Sequence, residues 1–291
     1  MATLRDIRRK IAAVKKTQQI TRAMNMVSAA KLRGAQQRME GFRPYAQAFS
    51  MMLSNMARRV DPEIHPFFQV AKQVEKVGLV LMTADRGLCG SFNVSLIHTA
   101  TRFIKEQEDQ GREVSLTCVG RKGRDFFRRR KREMRSFYVD VWNKFDFSNA
   151  VTVARQIMSD YLTGEVQEVH LIHASFINIA VQRPRLVQLL PIVQEEPEAE
   201  EEAAIREYLF EPPVAQFLEY LLPRYINVLV YHGFLENSAS EHAARMTAMD
   251  NATSNCKEMI THLTLVMNKA RQAAITKELM DIVGGAEALK G

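Results

Sequence analysis

Apolar and small residues recur along the first sixty positions at the spacing of a coiled-coil seam. From Ile7 to Val60 they cover 53 residues in 15 steps, about 3.5 residues per step, which is the period of a left-handed coiled coil. Pro44 lies inside this stretch and could kink or break a helix there. The pattern predicts an N-terminal coiled-coil helix over residues 1–60. Its seam positions are Ile7, Ile11, Val14, Gln18, Thr21, Met24, Ser28, Leu32, Ala35, Met39, Phe42, Ala46, Phe49, Leu53, Met56 and Val60.

The far end of the chain repeats this spacing and predicts a second coiled-coil helix over residues 212–291. From Leu235 to Ala274 the seam covers 39 residues in 11 steps, again about 3.5 per step. Prolines favour a helix start, and glycines favour a helix end. The pair Pro212–Pro213 therefore suits the beginning of this helix and the pair Gly284–Gly285 suits its end, while Pro223 could bend it early. The seam positions are Leu235, Ala239, His242, Met246, Met249, Thr253, Cys256, Ile260, Leu263, Met267, Ala270 and Ala274.

Two seams of equal period at opposite ends of one chain predict an antiparallel helical hairpin. We expect residues near 24 and 263 to come close in this pair. The seam is thin, since positions such as Gln18, Thr21 and Thr253 are polar rather than Leu or Ile. The alternative is an ordinary helical core whose apolar faces are covered elsewhere. The length of both seams favours the rod.

The middle of the chain, residues 70–211, changes to alternating strand and helix patterns. Three short runs rich in β-forming residues precede helical segments, and two further runs form a hairpin about residues 178–184. Alternation of this kind predicts a Rossmann-like α/β domain with a mainly parallel sheet, inserted between the two coiled-coil helices. The predicted strands lie at 77–83, 114–120, 136–142 and in the two arms of the hairpin, and the predicted helices lie at 93–107, from 123 onward and at 150–162.

The net charge of +7 is distributed unevenly. Residues 1–60 hold 13 Lys and Arg against two acids, a net of +11, and residues 212–291 hold seven against eight, a net of −1. A strongly basic segment needs an acidic neighbour, which could be nucleic acid, anionic lipid or an acidic protein surface. The run RRRKR at 128–132 lacks an aromatic platform for bases, so a solvated basic helix end is the favoured interpretation. The acidic run at 195–202 reads as an exposed loop.

The candidate chemistry is sparse. The turn DRGLCG at 85–90 lacks the spacing of a P-loop or of a dinucleotide fingerprint, so a strand-to-helix turn is favoured over a nucleotide site. Three distant cysteines favour neither disulfides nor zinc, and His170 and His173 face opposite ways on a strand. No apolar run approaches the length of a membrane span. We therefore expect no catalytic residue, no cofactor and no metal.

Four separated blocks resemble the signature blocks of the gamma subunit of the bacterial F-type ATP synthase. They occur in the family order and at the family spacing, with YLFEPP at 208–213 also in place, and the resemblance covers the chain from end to end. The blocks are TQQITRAMNMVSAAKLR at 17–33, TADRGLCGSFN at 83–93, SEHAARMTAMDNAT at 240–253 and NKARQAAITKELMDIVGGAEAL at 268–289.

The resemblance implies a non-catalytic central stalk that couples ion flow through a membrane c-ring to conformational cycling of catalytic beta subunits. It implies partners in the alpha and beta subunits of the head, the epsilon subunit and the c-ring. It also implies a peripheral position on the cytoplasmic face of the cell membrane, without insertion into it. By matching positions, the residues implied for beta-subunit contact are Met24, Arg86, Arg271, Gln272 and Thr276, and those implied for the foot on the c-ring and epsilon are Tyr208 and Glu211.

Two other classes of function fit parts of the sequence. A basic coiled-coil protein that binds nucleic acid would explain the pI of about 9.4, but the C-terminal helix lacks the basic excess. A nucleotide-hydrolysing enzyme would need a phosphate loop, and the glycine turn after the first strand does not match one.

Overall fold

The computed structural model describes residues 3–57, 62–143, 145–192 and 214–288. Five α-helices and five β-strands lie within these ranges. The helices are α1 (Leu4–Ala57), α2 (Phe92–Asp109), α3 (Arg121–Arg129), α4 (Phe147–Leu162) and α5 (Val214–Ala288), and the strands are β1 (Lys76–Met82), β2 (Glu113–Val119), β3 (Ser136–Tyr138), β4 (Glu168–Phe176) and β5 (Gln182–Leu190). Among the described residues, no helix is both long enough and apolar enough to cross a membrane.

The five strands form one sheet in the order β3-β2-β1-β4-β5. Neighbouring strands from β3 to β4 are parallel, and β5 runs antiparallel to β4 through a hairpin. The sequence expectation of a mainly parallel α/β sheet with a closing hairpin is confirmed. The predicted third strand was too long, since β3 ends at Tyr138. Asp140 then adopts a positive φ of 59°, which an extended strand does not permit.

Contacts divide the chain into two compact units. One comprises residues 1–28 and 246–291, and the other comprises residues 29–245. Helices α1 and α5 contribute to both units, so this division falls inside the two long helices. We call the first the terminal unit and the second the sheet unit.

Helix α1 continues through Pro44, and α5 continues through Pro223. Neither proline breaks its helix, although each removes one backbone hydrogen bond. Helix α5 also continues past the predicted stop at Gly284 and Gly285 and ends at Ala288. An isolated glycine pair weakens a helix without terminating it, because it costs only about 1 kcal/mol per residue.

The predicted seams coincide with the buried faces of both helices. Every described seam position from Ile7 to Met56 and from Leu235 to Ala274 is buried or half-buried, and none is exposed. Within the sheet unit, the ring of Phe42 meets that of Tyr231 edge-on at 4.9 Å, and the ring of Phe49 stacks with that of Tyr225 at 6.2 Å. Position numbers rise on α1 while they fall on α5, so the two helices run antiparallel there.

The sheet unit has a core between β1, β2 and the apolar face of α2. Leu79, Leu81, Leu96 and Leu116 are fully buried in this core. Helix α5 packs against the sheet as well. The Cα of Gly233 approaches it so closely that an added Cβ would lie 3.0 Å from a methyl group of Leu171.

Hydrogen bonds fix the polar part of the same contact. The side-chain oxygen of Asn237 accepts from the backbone N–H of Ala174 at 3.1 Å, and the hydroxyl of Ser240 donates to the Ala174 carbonyl at 3.3 Å. Asn237 and Ser240 thus supply hydrogen-bond partners for the backbone N–H and C=O of Ala174 in β4. Without them, these two groups would lose their hydrogen bonds on burial.

A single glycine joins β2 to α3. Gly120 has φ of 105°, and an added Cβ would lie 2.0 Å from the carbonyl oxygen of Thr83. The Thr83 hydroxyl in turn accepts from the backbone N–H of Gly123 at 2.9 Å. The close approach of the residues that follow β1 and β2 therefore requires glycine at this position.

We predict that Gly120→Ala destabilises the chain by about 3 kcal/mol or more, because both the φ angle and the clash with Thr83 oppose a side chain. The free energy of unfolding from urea titration measures the effect. The matched control is Gly164→Ala, at φ of 75° with no atom within 4 Å of the added Cβ, which should cost only about 1 kcal/mol. Equal losses in the two variants would show that the close approach of Gly120 to Thr83 does not require glycine.

Candidate functional site

The terminal unit contains a helix pair whose register is set by polar contacts. The hydroxyls of Thr21 on α1 and Thr253 on α5 share a hydrogen bond of 2.8 Å. The side-chain amide of Asn25 donates to the backbone carbonyl of Met246 at 2.9 Å. These contacts place residue 24 opposite residues near 249. The expectation that it meets residue 263 is wrong by two heptads, a displacement that leaves the seam period unchanged.

A groove of about 500 Å³ opens beside this seam. Seven of its eight lining residues have polar side chains, and both helices contribute. The lining residues are Gln18, Gln19, Arg22, Asn25, Met26, Asp250, Thr253 and Lys257. Met24, one of the implied contact residues, is half-buried one position before Asn25. The sequence signal for this groove is the pair of polar seam positions Gln18 and Thr253, which also line it.

The three implied contact residues on α5 lie far from this groove. Arg271, Gln272 and Thr276 are all exposed on the helix. Position 249, opposite Met24, is 22 residues before Arg271, about 33 Å along the helix axis. The structure therefore separates the implied contact residues of the terminal unit into two sites, one at Met24 and one at Arg271.

The end of α5 carries an exposed apolar surface that the sequence analysis did not identify. We call it the apolar end. Beyond Ala274 every helical residue whose exposure is described is exposed. The large side chains of the apolar end are Ile275, Leu279, Met280, Ile282 and Val283, with exposed fractions from 46% to 68%. The seam period stops at residue 274, and in the sequence this stop is the signal that the following residues do not pack against α1.

Arg86 lies in the sheet unit, on the loop between β1 and α2, where its side chain is exposed. Most polar groups of this loop that the structure describes bind within the protein. Asn93 accepts from the backbone N–H of Ala84 at 2.9 Å, and Asp85 accepts from the backbone N–H of Arg121 at 2.9 Å. The loop therefore acts as a strand-to-helix connection that presents Arg86 to the surface.

A buried ion pair ties the same loop to α5. The guanidinium of Arg245 donates to Glu241 at 2.6 Å and to the carbonyl of Gly87 at 3.3 Å. Burial raises the pKa of Glu241, and the charge of Arg245 opposes that rise. Breaking such a pair on one side leaves an uncompensated buried charge, so this contact holds the loop and the helix together.

Tyr208 and Glu211, the implied foot residues, lie outside the described residues, as does the acidic run at 195–202. The chain segments on either side of them meet at one edge of the sheet unit. The backbone N–H of Ile192 donates to the carbonyl of Phe67 at 2.7 Å. Burial lowers the pKa of His65, and the charge of nearby Glu219 on α5 partly opposes this lowering. We call this the amino edge, because strands β1, β2 and β4 begin there.

Comparison with known proteins gives a consistent result. A family model described as ATP synthase matches residues 3–289. The chain is 51% identical over 291 residues to the ATP synthase gamma chain of Nitratidesulfovibrio vulgaris strain Hildenborough, and 52% identical over 291 residues to that of Syntrophobacter fumaroxidans. Each alignment covers 100% of both chains.

Solved structures agree in fold. A chain from the central stalk and c-ring of the Tetrahymena thermophila mitochondrial ATP synthase is 27% identical, with a TM-score of 0.61 over 80% of this chain and 99% of that one. A chain from the Euglena gracilis mitochondrial ATP synthase in rotational state 3 is 20% identical, with a TM-score of 0.66 over 98% of this chain and 94% of that one.

A pH-dependent stability follows from His242, a seam residue of α5 in the sheet unit. Burial and the nearby cations Arg245, Lys31 and Arg38 lower its pKa from 6.5 to about 4. Below pH 6.5 the imidazole of His242 becomes protonated in the unfolded chain, whereas in the folded chain it stays neutral down to about pH 4. The contribution of the neutral imidazole to stability is therefore complete above pH 6.5 and is lost as the pH falls toward 4.

We predict that His242→Gln, which cannot titrate, removes about 2 kcal/mol of the stability difference between about pH 7 and about pH 4.5. Urea unfolding of both proteins at the two pH values measures this difference. The same pH dependence in the variant and the parent would show that His242 is not held neutral.

Proposed function

The chain belongs to the ATP synthase family and matches its gamma chains along its full length, and from this premise we propose how it works as the central-stalk rotor. Its paired helices turn inside a head of alternating alpha and beta subunits while its α/β domain turns with the membrane c-ring. Ion flow through the ring supplies the torque. Each beta subunit then passes in turn through conformations that bind ADP and phosphate, form ATP and release it.

The apolar end of α5 is the observation that carries this proposal. A helix of a soluble protein rarely leaves five large apolar side chains exposed within nine residues, and such a surface marks a contact with another protein. At about 100° per residue, these side chains fall within an arc of about 160° around the helix axis, so a partner must cover one broad face of the helix. A ring of head subunits enclosing the end of α5 meets that requirement.

Rotation can drive the beta subunits only if the rotor offers them a different surface at each angle. A ligand or partner shifts a conformational equilibrium only by its differential contact with the two states. The polar groove at Asn25 and the exposed pair Arg271–Gln272 lie on particular faces of the helices and far apart along them. Each beta subunit therefore meets polar groups at some angles and apolar ones at others.

The contact residues divide between two levels of the head. Arg271 and Gln272 donate hydrogen bonds to a loop of a beta subunit, with Thr276 one turn further along α5. Met24, beside the groove, faces the acidic lever of a beta subunit, and the basic residues of α1 supply the complementary charge. Arg86 is a further contact at the base of the head.

The remaining partners bind the sheet unit. Tyr208 and Glu211 form the foot that meets the c-ring and the epsilon subunit, and both ends of the segment that contains them are attached to the amino edge. Residues 1–60, 70–211 and 212–291 act as rotor helix, inserted domain and second rotor helix. The chain performs no bond chemistry and needs no cofactor, and it works as a peripheral protein on the cytoplasmic face of the cell membrane.

We predict that Arg271→Ala combined with Gln272→Ala lowers ATP synthesis by at least about tenfold, because the loss of hydrogen bonds that involve a charged donor costs about 1.5–3 kcal/mol. The measurement is ATP synthesis in vesicles reconstituted with the complete enzyme under an imposed ion gradient. The isolated variant should keep the circular dichroism and unfolding curve of the parent, since both side chains are exposed.

The matched control is Thr261→Ala combined with His262→Ala, an equally exposed adjacent pair on α5 outside the implied contacts. This control should leave synthesis within about a factor of two, as expected for surface substitutions that cost less than about 0.5 kcal/mol. Unchanged synthesis in the Arg271/Gln272 variant would remove these residues from the beta-subunit contact.

A further inference from the structure

An unusual concentration of positive charge surrounds helix α3. Residues 121–135 hold nine Lys and Arg against Asp125 and Glu133, a net of +7, which equals the net charge of the entire chain. Four of the nine are consecutive and exposed where α3 ends: Arg128, Arg129, Arg130 and Lys131. We call these four residues the cationic cap.

The arginines on either side of the cationic cap have carboxylate partners. Arg121 binds Asp140 at 2.6 Å, Arg132 binds Glu108 at 2.5 Å, and Arg135 binds Asp160 at 3.0 Å and Glu165 at 2.7 Å. These pairs fasten α3 and β3 to their neighbours. Their charges are largely neutralised within the fold.

The cationic cap is not neutralised in this way. Arg128 lies 3.7 Å from Asp125, whose carboxylate is already bound by Arg124 at 2.7 Å. Among the residues that the structure describes, no carboxylate lies within ion-pair distance of Arg129, Arg130 or Lys131. The charges of Arg129, Arg130 and Lys131 therefore face solvent without a carboxylate partner in the described part of the chain, and that of Arg128 is only partly compensated by Asp125.

Stabilisation of the helix end does not account for the cationic cap. One cation near the last turn of a helix interacts favourably with the helix dipole, but this effect is screened by solvent and extends over only one turn. Additional cations at adjacent positions repel one another. Four like charges are more than the helix dipole can stabilise. The binding of an external anion explains the four cations better.

The cationic cap lies at the amino edge of the sheet unit. The guanidinium of Arg132 donates to the carbonyl of Val114, near the start of β2, and the backbone N–H of Arg135 donates to the carbonyl of Leu116. Ile192 and His65, which flank the segment containing the implied foot, lie at the same edge. If the foot meets the c-ring, this edge faces the membrane.

We propose that the cationic cap binds the headgroups of anionic phospholipids at the membrane surface, an inference that rests on the proposed function for its orientation. Clusters of four or more Lys and Arg near a membrane are attracted to its negative surface charge without insertion. The cap holds the α/β domain close to the lipid surface beside the c-ring while the rotor turns, because headgroups exchange freely beneath it.

The local structure favours lipid over nucleic acid and over a shape-specific protein site. Bases stack on exposed aromatic faces, but of the two aromatic residues on α3, the ring of Phe126 is covered by the guanidinium of Arg130 at 3.7 Å and Phe127 is buried. Protein interfaces concentrate binding energy in apolar pockets, whereas the cap is a run of long, exposed cationic side chains. A fluid anionic surface requires neither feature.

The test is cosedimentation of the full-length chain with vesicles of phosphatidylcholine alone and of phosphatidylcholine mixed in equal parts with phosphatidylglycerol. Binding should require phosphatidylglycerol and should weaken as salt is raised, because screening shortens the range of the attraction. The variant in which Arg128, Arg129, Arg130 and Lys131 are all replaced by Gln should bind several hundredfold more weakly, since each of the four cations near the surface contributes about fivefold.

Two control variants make the result specific. Replacing the exposed residues Arg8, Arg9, Lys15 and Lys16 by Gln removes the same charge from the terminal unit and should change binding by less than about threefold. Replacing the three arginines of the cap by Lys keeps the charge and should keep the binding. Retained binding in this Lys variant also shows that the cap tolerates substitution without loss of the fold.

Three results would overturn the proposal: equal loss in the Arg8 and Arg128 sets, equal binding to vesicles without phosphatidylglycerol, or loss of binding in the Lys variant. Tighter binding to a mixed-sequence RNA than to the anionic vesicles would reassign the cap to nucleic acid. Because these measurements use the isolated chain, their failure would leave the Arg271/Gln272 synthesis result unaffected. The reverse also holds, so the two proposals fail separately.

Discussion

The other features of this chain depend on the pairing of helices α1 and α5 in a single register. The apolar seams of both helices are thin. Neither seam has the Leu and Ile density of a strong zipper, so apolar contact alone would permit displacements of whole heptads. The Thr21–Thr253 hydrogen bond and the contact from Asn25 to the Met246 carbonyl have partners in only one alignment. Polar groups in the seam reduce its strength and in return specify its register.

The same helix that completes the pair in the terminal unit also completes the sheet unit. Within that unit, α5 approaches β4 at Gly233, bonds the Ala174 backbone through Asn237 and Ser240, and reaches the loop after β1 through Arg245. The polar stretch of α5 is therefore a docking surface for strand ends. A rotor needs such an attachment, because torque applied to an α/β domain must pass into the helix without slippage.

The sequence predicted the parts of this structure that depend on local periodicity. Seam positions such as Leu32 and Ala239 are buried, and the strand beginning near Val77 and the helix ending near Leu162 lie close to their predicted bounds. Local pattern did not determine the register, because pairing residue 24 with 263 or with 249 gives the same seam. It also placed the end of α5 too early at Gly284, since helix continuation there depends on context that glycine propensity does not describe. Of the implied contact residues, the structure shows Arg271, Gln272 and Arg86 as exposed, but what they bind is a property of partners, which a single chain does not contain.

The register of the helix pair is tested most directly by disulfide formation between engineered cysteines. In a chain carrying Cys256→Ser, the double variant Thr21→Cys and Thr253→Cys should form an intramolecular disulfide on mild oxidation, since the two hydroxyl oxygens are only 2.8 Å apart and a disulfide needs β-carbons about 3.8 Å apart. The pair Thr21→Cys and Met267→Cys, displaced by two heptads, should not. Efficient linkage of Thr21→Cys to Met267→Cys, with none to Thr253→Cys, would contradict the pairing on which this account of the rotor depends.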